Sequence, residues 1–170
     1  MPLSKVLTML CCFKTGRPAQ PSLPASLRDV PADVQRYVPR ITSGLVTNVY
    51  DGDTFTVVSR VVGDPTLYKF SVRIAGIDCP ELRSKIPSEK EAAGLAKDRV
   101  ENLIYARHVR LENVRTEKYG RILADVYVDY DGGDVSVGDF LIREKLAVKY
   151  DGKRKNPPAD WMCYFRSSMQ

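Results

Sequence analysis

Histidine is almost absent from this 170-residue chain, which has only His108. A single imidazole excludes His-rich zinc sites and any mechanism that needs two histidines. Cysteine is also scarce. The four residues stand at 11, 12, 79 and 163, a spacing that matches neither a zinc pattern nor a dense disulfide scaffold. Long apolar runs are missing, and none approaches the roughly 20 residues of a membrane helix. The apolar stretch 6–13 between Lys5 and Lys14 imitates a signal peptide only weakly, because it is short and no small-x-small site follows it closely. An intracellular, reducing setting is therefore expected, with secretion as the second option. Cys11 and Cys12 beside Lys5 and Lys14 form a candidate acylation site, since two acyl chains with basic residues suffice for stable anchoring. Two unmodified cysteines are the simpler reading, and position 2 offers no glycine for myristoylation. Membrane association is expected only if that pair is acylated.

Charge of one sign is lacking where it would matter most. The net charge is +5, but residues 1–40 contribute 6 basic and 2 acidic groups and residues 151–170 contribute 4 and 2. The middle, 41–150, carries 16 and 17 and is close to neutral. Net charge alone therefore does not argue for a polyanion partner. The basic flanks either help hold nucleic acid or an anionic surface, or only aid solubility, and a solvated charge run is the commoner case. With 44% hydrophobic and 28% charged residues the composition is globular, which excludes wholesale disorder and coiled coil.

Six of the eleven prolines fall in residues 1–40, which read as a flexible, basic arm with at most a short helix over 25–37. A domain follows over 41–150. Residues 44–50 and 54–61 read as strands joined by Asp51-Gly52-Asp53, a strong hairpin signal. Tyr68, Phe70, Val72 and Ile74 alternate with Lys69, Ser71, Arg73 and Ala75, so a third strand has one apolar face and one carrying Arg73. Ser88 with Glu91 reads as a capping box, and Ala92, Ala96, Val100 and Leu103 share one helix face ending near Ala106. Strands over 109–114 and 122–128 and a helix from 136 or 137 to 145 complete the domain. Residues 151–170 read as a basic tail in which Trp161, Tyr164 and Phe165 could dock a short helix. Three strands, a helix, two strands and a helix is the order of an OB-fold, so the expected class is mainly β with helices: a five-stranded barrel with two main helices.

Four fragments could carry chemistry. Asp51-Gly52-Asp53-Thr54 sets two carboxylates at a turn, and Asp78-Cys79-Pro80-Glu81 sets two more beyond the strand that bears Arg73. Lys118-Tyr119-Gly120-Arg121 opens the fifth strand. Each fragment alone has an ordinary explanation as a turn or a solvated side chain. Together, at strand ends that a barrel brings close, they supply hard oxygen ligands for Ca²⁺ or Mg²⁺ and arginines for phosphate oxygens. A carboxylate not engaged by the metal could accept a proton from water. Phosphodiester hydrolysis needs those same three things: a metal, arginines and a base.

Residues 45–150 resemble the staphylococcal (thermo)nuclease-like domains, a Ca²⁺-dependent OB-fold family. The resemblance rests on V-Y-D-G-D-T-F at 49–55, V-R-I-A-G-I-D-C-P-E at 72–81, E-K-Y-G-R at 117–121 and L-I-R-E-K-L-A at 141–147, in the family's order. It implies that Asp53 and Asp78 are calcium carboxylates, with the backbone carbonyl of Cys79 a third contact. It implies that Glu81 is the general base or water-orienting group, that Arg73 and Arg121 hold the scissile phosphate, and that Tyr119 helps hold a phosphate. The loop over 82–90 is shorter than in the staphylococcal enzyme. Tyr150 is the nearest candidate for the substrate-facing tyrosines, and a segment over 160–167 replaces the long C-terminal helix.

The implied function is a calcium-dependent endonuclease for DNA, RNA or both, acting as a monomer without an obligate protein partner and preferring single strands. Two alternatives stand beside it. A non-catalytic OB-fold nucleic-acid-binding module would need none of the carboxylates. An oligosaccharide- or protein-binding domain would leave the convergence of Arg73, Arg121 and Glu81 unexplained. His108 is expected to be a surface or packing residue.

Overall fold

The computed structural model describes residues 23–167. Cys11 and Cys12, and with them the candidate acylation site, lie outside the described residues. Two compact units divide the chain, Met1–Gln35 and Arg36–Gln170. In the first, the described residues hold a single 3-10 turn, Leu27–Asp29, where Ser26 Oγ donates to Asp29 Oδ2 at 2.8 Å. A helix over 25–37 does not form. Pro31 interrupts it, and Leu27, Val30 and Val34 are all exposed, so no apolar stripe is covered and a short helix has nothing to stabilise it.

The second unit is a closed barrel. Its strands are β1 (Ser43–Val49), β2 (Thr54–Arg60), β3 (Leu67–Ile74), β5 (His108–Thr116) and β6 (Ile122–Tyr130). The minor strands are β4 (Ile77–Asp78), β7 (Gly133–Ser136) and β8 (Val148–Lys149). β1 pairs antiparallel with β2 and β5, β2 with β3, and β5 with β6. Parallel pairing of β3 with β6 closes the ring. Register irregularities in β1 between Val46 and Asn48, and in β5 between Glu112 and Arg115, add the local bend and twist that closure requires. Alternation does the rest: Phe55, Val57, Val72, Ile74, Val126 and Val128 point inward and are fully or almost fully buried.

Among the described residues three helices pack around the barrel: α1 (Pro87–Ile104), α2 (Val137–Arg143) and α3 (Trp161–Arg166). α1 buries Ala92, Ala93, Ala96, Val100, Leu103 and Ile104. Its start corrects the capping-box reading. Pro87 is the first helical residue and Ile86 the cap, with no side-chain cap bond, so Ser88 already lies inside the first turn. The polar work is done upstream, where Ser84 Oγ accepts from the Ile86 amide at 3.1 Å and donates to Glu89 Oε2 at 2.6 Å. α2 begins at a true cap, Ser136, whose side chain accepts from the Asp139 amide. The chain beyond Tyr150 includes α3, whose Trp161, Met162 and Phe165 are buried in the same core. Among the described residues no helix is long and apolar enough to cross a membrane.

Candidate active site

The β1–β2 turn supplies the first carboxylate. The amides of Tyr50 and Asp51 both donate to the Thr54 carbonyl, and Asp51 Oδ1 accepts from the Asp53 amide at 3.2 Å, which curls the turn around Gly52. A Cβ on Gly52 would lie 2.8 Å from the Ala96 side chain of α1 and 3.1 Å from Cys79 Sγ, so only glycine lets the turn press onto the helix. That close approach buries Asp53. β3 follows alongside, with Arg73 opposite Thr54 in the register. β4 then buries Asp78.

These elements converge. Arg73 Nη2 lies 2.8 Å from Asp53 Oδ2 and 3.2 Å from Asp78 Oδ1, so both carboxylates face one cationic head. Across the cleft, the β5–β6 turn has Gly120 at φ +82°, a left-handed geometry that suits glycine and carries the chain into Arg121. Arg121 Nε donates to Glu117 Oε1, and its Nη1 donates to Thr54 Oγ1 at 3.3 Å. Thr54 Oγ1 in turn donates to Asp53 Oδ1 at 2.7 Å, so one hydroxyl links the two arginine sites. A cleft of about 520 Å³ opens between them, lined by Asp53, Arg73, Asp78, Glu81, Arg121 and Lys155 among others.

The electrostatics follow from burial. Burial pushes the Asp53 carboxyl up to about 7, and the Asp51 charge adds to the push, while Arg73 opposes it. Burial works against the charge on Arg73, but Asp53 and Asp78 outweigh it and raise its pKa. Glu81 is held below the usual carboxylate range by its hydrogen bond and charge interaction with Lys155. Burial, and then the Asp53 charge, push the Cys79 thiol well up, so it stays a neutral packing group.

Asp53, Arg73, Asp78, Cys79, Glu81, Tyr119 and Arg121 all line this one cleft, as does Tyr150. Tyr119 is the outlier, 78% exposed at the rim with Lys118 Nζ 5.8 Å from its ring centroid. His108 is exposed at the start of β5 and does not line the cleft. Four further residues belong to the site: Asp51, Thr54, Glu117 and Lys155. Three of them stand inside the quoted motifs and follow from the turn or the strand register. Lys155 has no such signal, because it sits in a basic run 74 residues from Glu81, yet its Nζ lies 2.8 Å from Glu81 Oε1 and 3.1 Å from Asp78 Oδ1.

Fold and cleft together define a class: a small OB-fold domain whose strand-end turns assemble a cleft of carboxylates and arginines. A sequence model for staphylococcal nuclease homologues matches residues 71–164, more than half of the chain. The chain belongs to that family. A probable endonuclease of Schizosaccharomyces pombe is 33% identical over 128 residues, covering 64% of this chain and 56% of its own length. A probable endonuclease of Pyrenophora tritici-repentis is 35% identical over 132 residues, covering 65% and 47%. The micrococcal nuclease of Shigella flexneri is 30% identical over 128 residues, covering 71% and 64%. The chain thus spans about half the length of the first two of these relatives.

Proposed function

We propose that the chain is a calcium-dependent endonuclease that hydrolyses phosphodiester bonds of DNA, RNA or both. The observation that carries this reading is the convergence of Asp53 and Asp78 on the Arg73 guanidinium, with Arg121 and Glu81 lining the same cleft. Two buried carboxylates already turned toward one positive head fit a divalent cation, and hard oxygen donors suit calcium. Among the described residues no three His, Cys, Asp or Glu side chains are placed to hold a metal ion by themselves, so Asp53 and Asp78 would hold the ion together with backbone, water or phosphate oxygens. The Cys79 carbonyl is the backbone candidate. When bound, calcium supplies positive charge that neutralises the phosphate and polarises it toward attack.

The side chains of the chain divide the remaining work. Arg73 and Arg121 bind the scissile phosphate, and their charge-assisted bonds strengthen as negative charge builds on its oxygens. Glu81, exposed at the cleft with its pKa below the usual carboxylate range, is a carboxylate at neutral pH with or without Lys155 beside it, and it takes the proton from the attacking water. Tyr119 and Tyr150, at the cleft, offer ring faces and hydroxyls to the flanking nucleotides. A cleft of about 520 Å³ admits a flexible single strand more readily than a stiff duplex.

The test incubates denatured DNA, plasmid and RNA with the purified chain in calcium, in magnesium and in chelator. Cleavage in calcium, lost in chelator, is expected, with single strands cut fastest. Glu81→Gln should slow it by about 10²–10⁴. Binding without calcium-dependent cleavage would instead identify a nucleic-acid-binding module.

A further inference from the structure

Lys155 lies in the cleft, and the proposed chemistry does not use it as a phosphate ligand. Its ammonium lies 3.1 Å from Asp78 Oδ1 and 2.8 Å from Glu81 Oε1, joining the carboxylate assigned to the metal to the one assigned to the proton. Asp78 Oδ1 also lies 3.2 Å from Arg73 Nη2, so a single oxygen faces two cationic heads. We propose that Lys155 is a built-in counter-cation, which ties Asp78 to Glu81 in the calcium-free protein and is displaced when the divalent ion enters. This rests on the calcium reading above.

A calcium ion gathers about six to eight oxygens at about 2.3–2.6 Å. An ammonium hydrogen-bonded to one of those oxygens stands at the edge of that shell and repels the ion. One of the two cations on Asp78 must therefore give way. Arg73 is the worse candidate. It projects from a barrel strand, its side chain is only 15% exposed, and Asp53 holds it at 2.8 Å as well. Lys155 projects from the segment between β8 and α3, and its side chain is 46% exposed. Residues 151–157 around it are exposed, so its four-carbon stem can swing the ammonium into water, where it is well hydrated. Displacement has a second effect. It frees Glu81 Oε1, so the carboxylate gains a second oxygen as proton acceptor once the ion has arrived.

The experiment is a calorimetric titration of calcium chloride, without nucleic acid, into the wild-type chain, Lys155→Met and Lys153→Met. Methionine keeps the stem and removes the charge. Lys153 stands two residues away and bonds neither carboxylate through its side chain, so it controls for net charge. Lys155→Met should bind calcium on the order of fivefold more tightly, the size of one half-exposed ion pair, and Lys153→Met should match wild type. Hydrogen exchange at residues 152–156 should quicken on adding calcium to wild type and stay unchanged in Lys155→Met. Calcium binding by wild type with unchanged or weaker affinity in Lys155→Met overturns this proposal alone. So does equal tightening in both variants. Absence of binding in all three proteins overturns the calcium reading, and this proposal with it.

Discussion

Opposing demands meet on Asp53. The proposed calcium site needs its charge, yet the turn that aims it also buries it, and burial raises its carboxyl to about 7. A carboxyl that holds its proton more tightly when folded favours the folded state below its ordinary value of 3.8, and that margin is lost as pH rises through about 7. Above that point the protein carries a buried charge that Arg73 only partly offsets. Asp53→Asn should therefore melt higher than wild type at pH 8 in chelator, by an order of 1–3 kcal/mol or a few degrees. The gap should close by pH 4, where the native carboxyl is protonated too. Thermal melts followed by circular dichroism across that range check this, and equal melting at pH 8 would refute it. The arginines make a different demand, for planar forks. Arg73 meets both carboxylates through Nη2, and Arg121 meets Glu117 through Nε and Thr54 through Nη1. Lysine keeps the charge but not the fork. Arg73→Lys and Arg121→Lys should each lose about 10²–10³ in turnover. Affinity for a single-stranded oligonucleotide should fall far less, because phosphate binding depends mainly on charge. Measuring both constants on one oligonucleotide separates the two effects, and parallel losses would remove the transition-state role.

At the scale of elements, legibility followed period and length. β3 was plain because Tyr68 to Ile74 alternate over a full strand, and the β1–β2 hairpin because Asp51-Gly52-Asp53 sits between two apolar runs. The site was legible for the same reason: Asp53, Arg73, Asp78, Glu81 and Arg121 stand at or beside strand ends within short contiguous motifs. β4 and β8 are two residues each, too short for any periodicity to register, although their pairing sets Asp78 in place. β7 is only four residues long and opens at Gly133, and the pair Gly132-Gly133 reads as a turn rather than a strand. The start of α1 differs from its sequence signal because Ser88 and Glu91 fit a capping box by spacing alone. Proline has no amide to lose and a fixed φ suited to the first helical position, so Pro87 sets the start two residues earlier, with Ile86 rather than Ser88 as the cap. Lys155 carries no local sequence signal because its position depends on tertiary structure: only the closed barrel brings residue 155 beside residues 78 and 81.

The whole molecule explains how a loop lysine can be held there at all. The segment from 151 to 160 is mostly exposed, but it is tied at both ends. At one end β8 pairs with β4, and the Tyr150 amide donates to the Gly76 carbonyl at 2.9 Å. At the other, Asp160 Oδ1 accepts from the Cys163 amide at 2.8 Å and starts α3, whose Trp161, Met162 and Phe165 enter the core. Lys145 Nζ fastens the end of α3 by donating to Ser167 Oγ at 2.7 Å. A six-residue helix is not stable on its own, so α3 exists because the core takes its aromatic face. Conversely, the core is incomplete without it. Burying one large aromatic is worth about 3–5 kcal/mol, and a domain's whole margin is about 5–15 kcal/mol. Ending the chain after Pro158 should therefore remove most of the stability and free the segment that carries Lys155. Trp161→Ala, which leaves the segment joined, should cost about 3–5 kcal/mol and keep the barrel folded. Urea unfolding followed by far-ultraviolet circular dichroism distinguishes the two. Wild-type stability in the chain ending at Pro158 would show that α3 is an accessory to the barrel rather than part of its core.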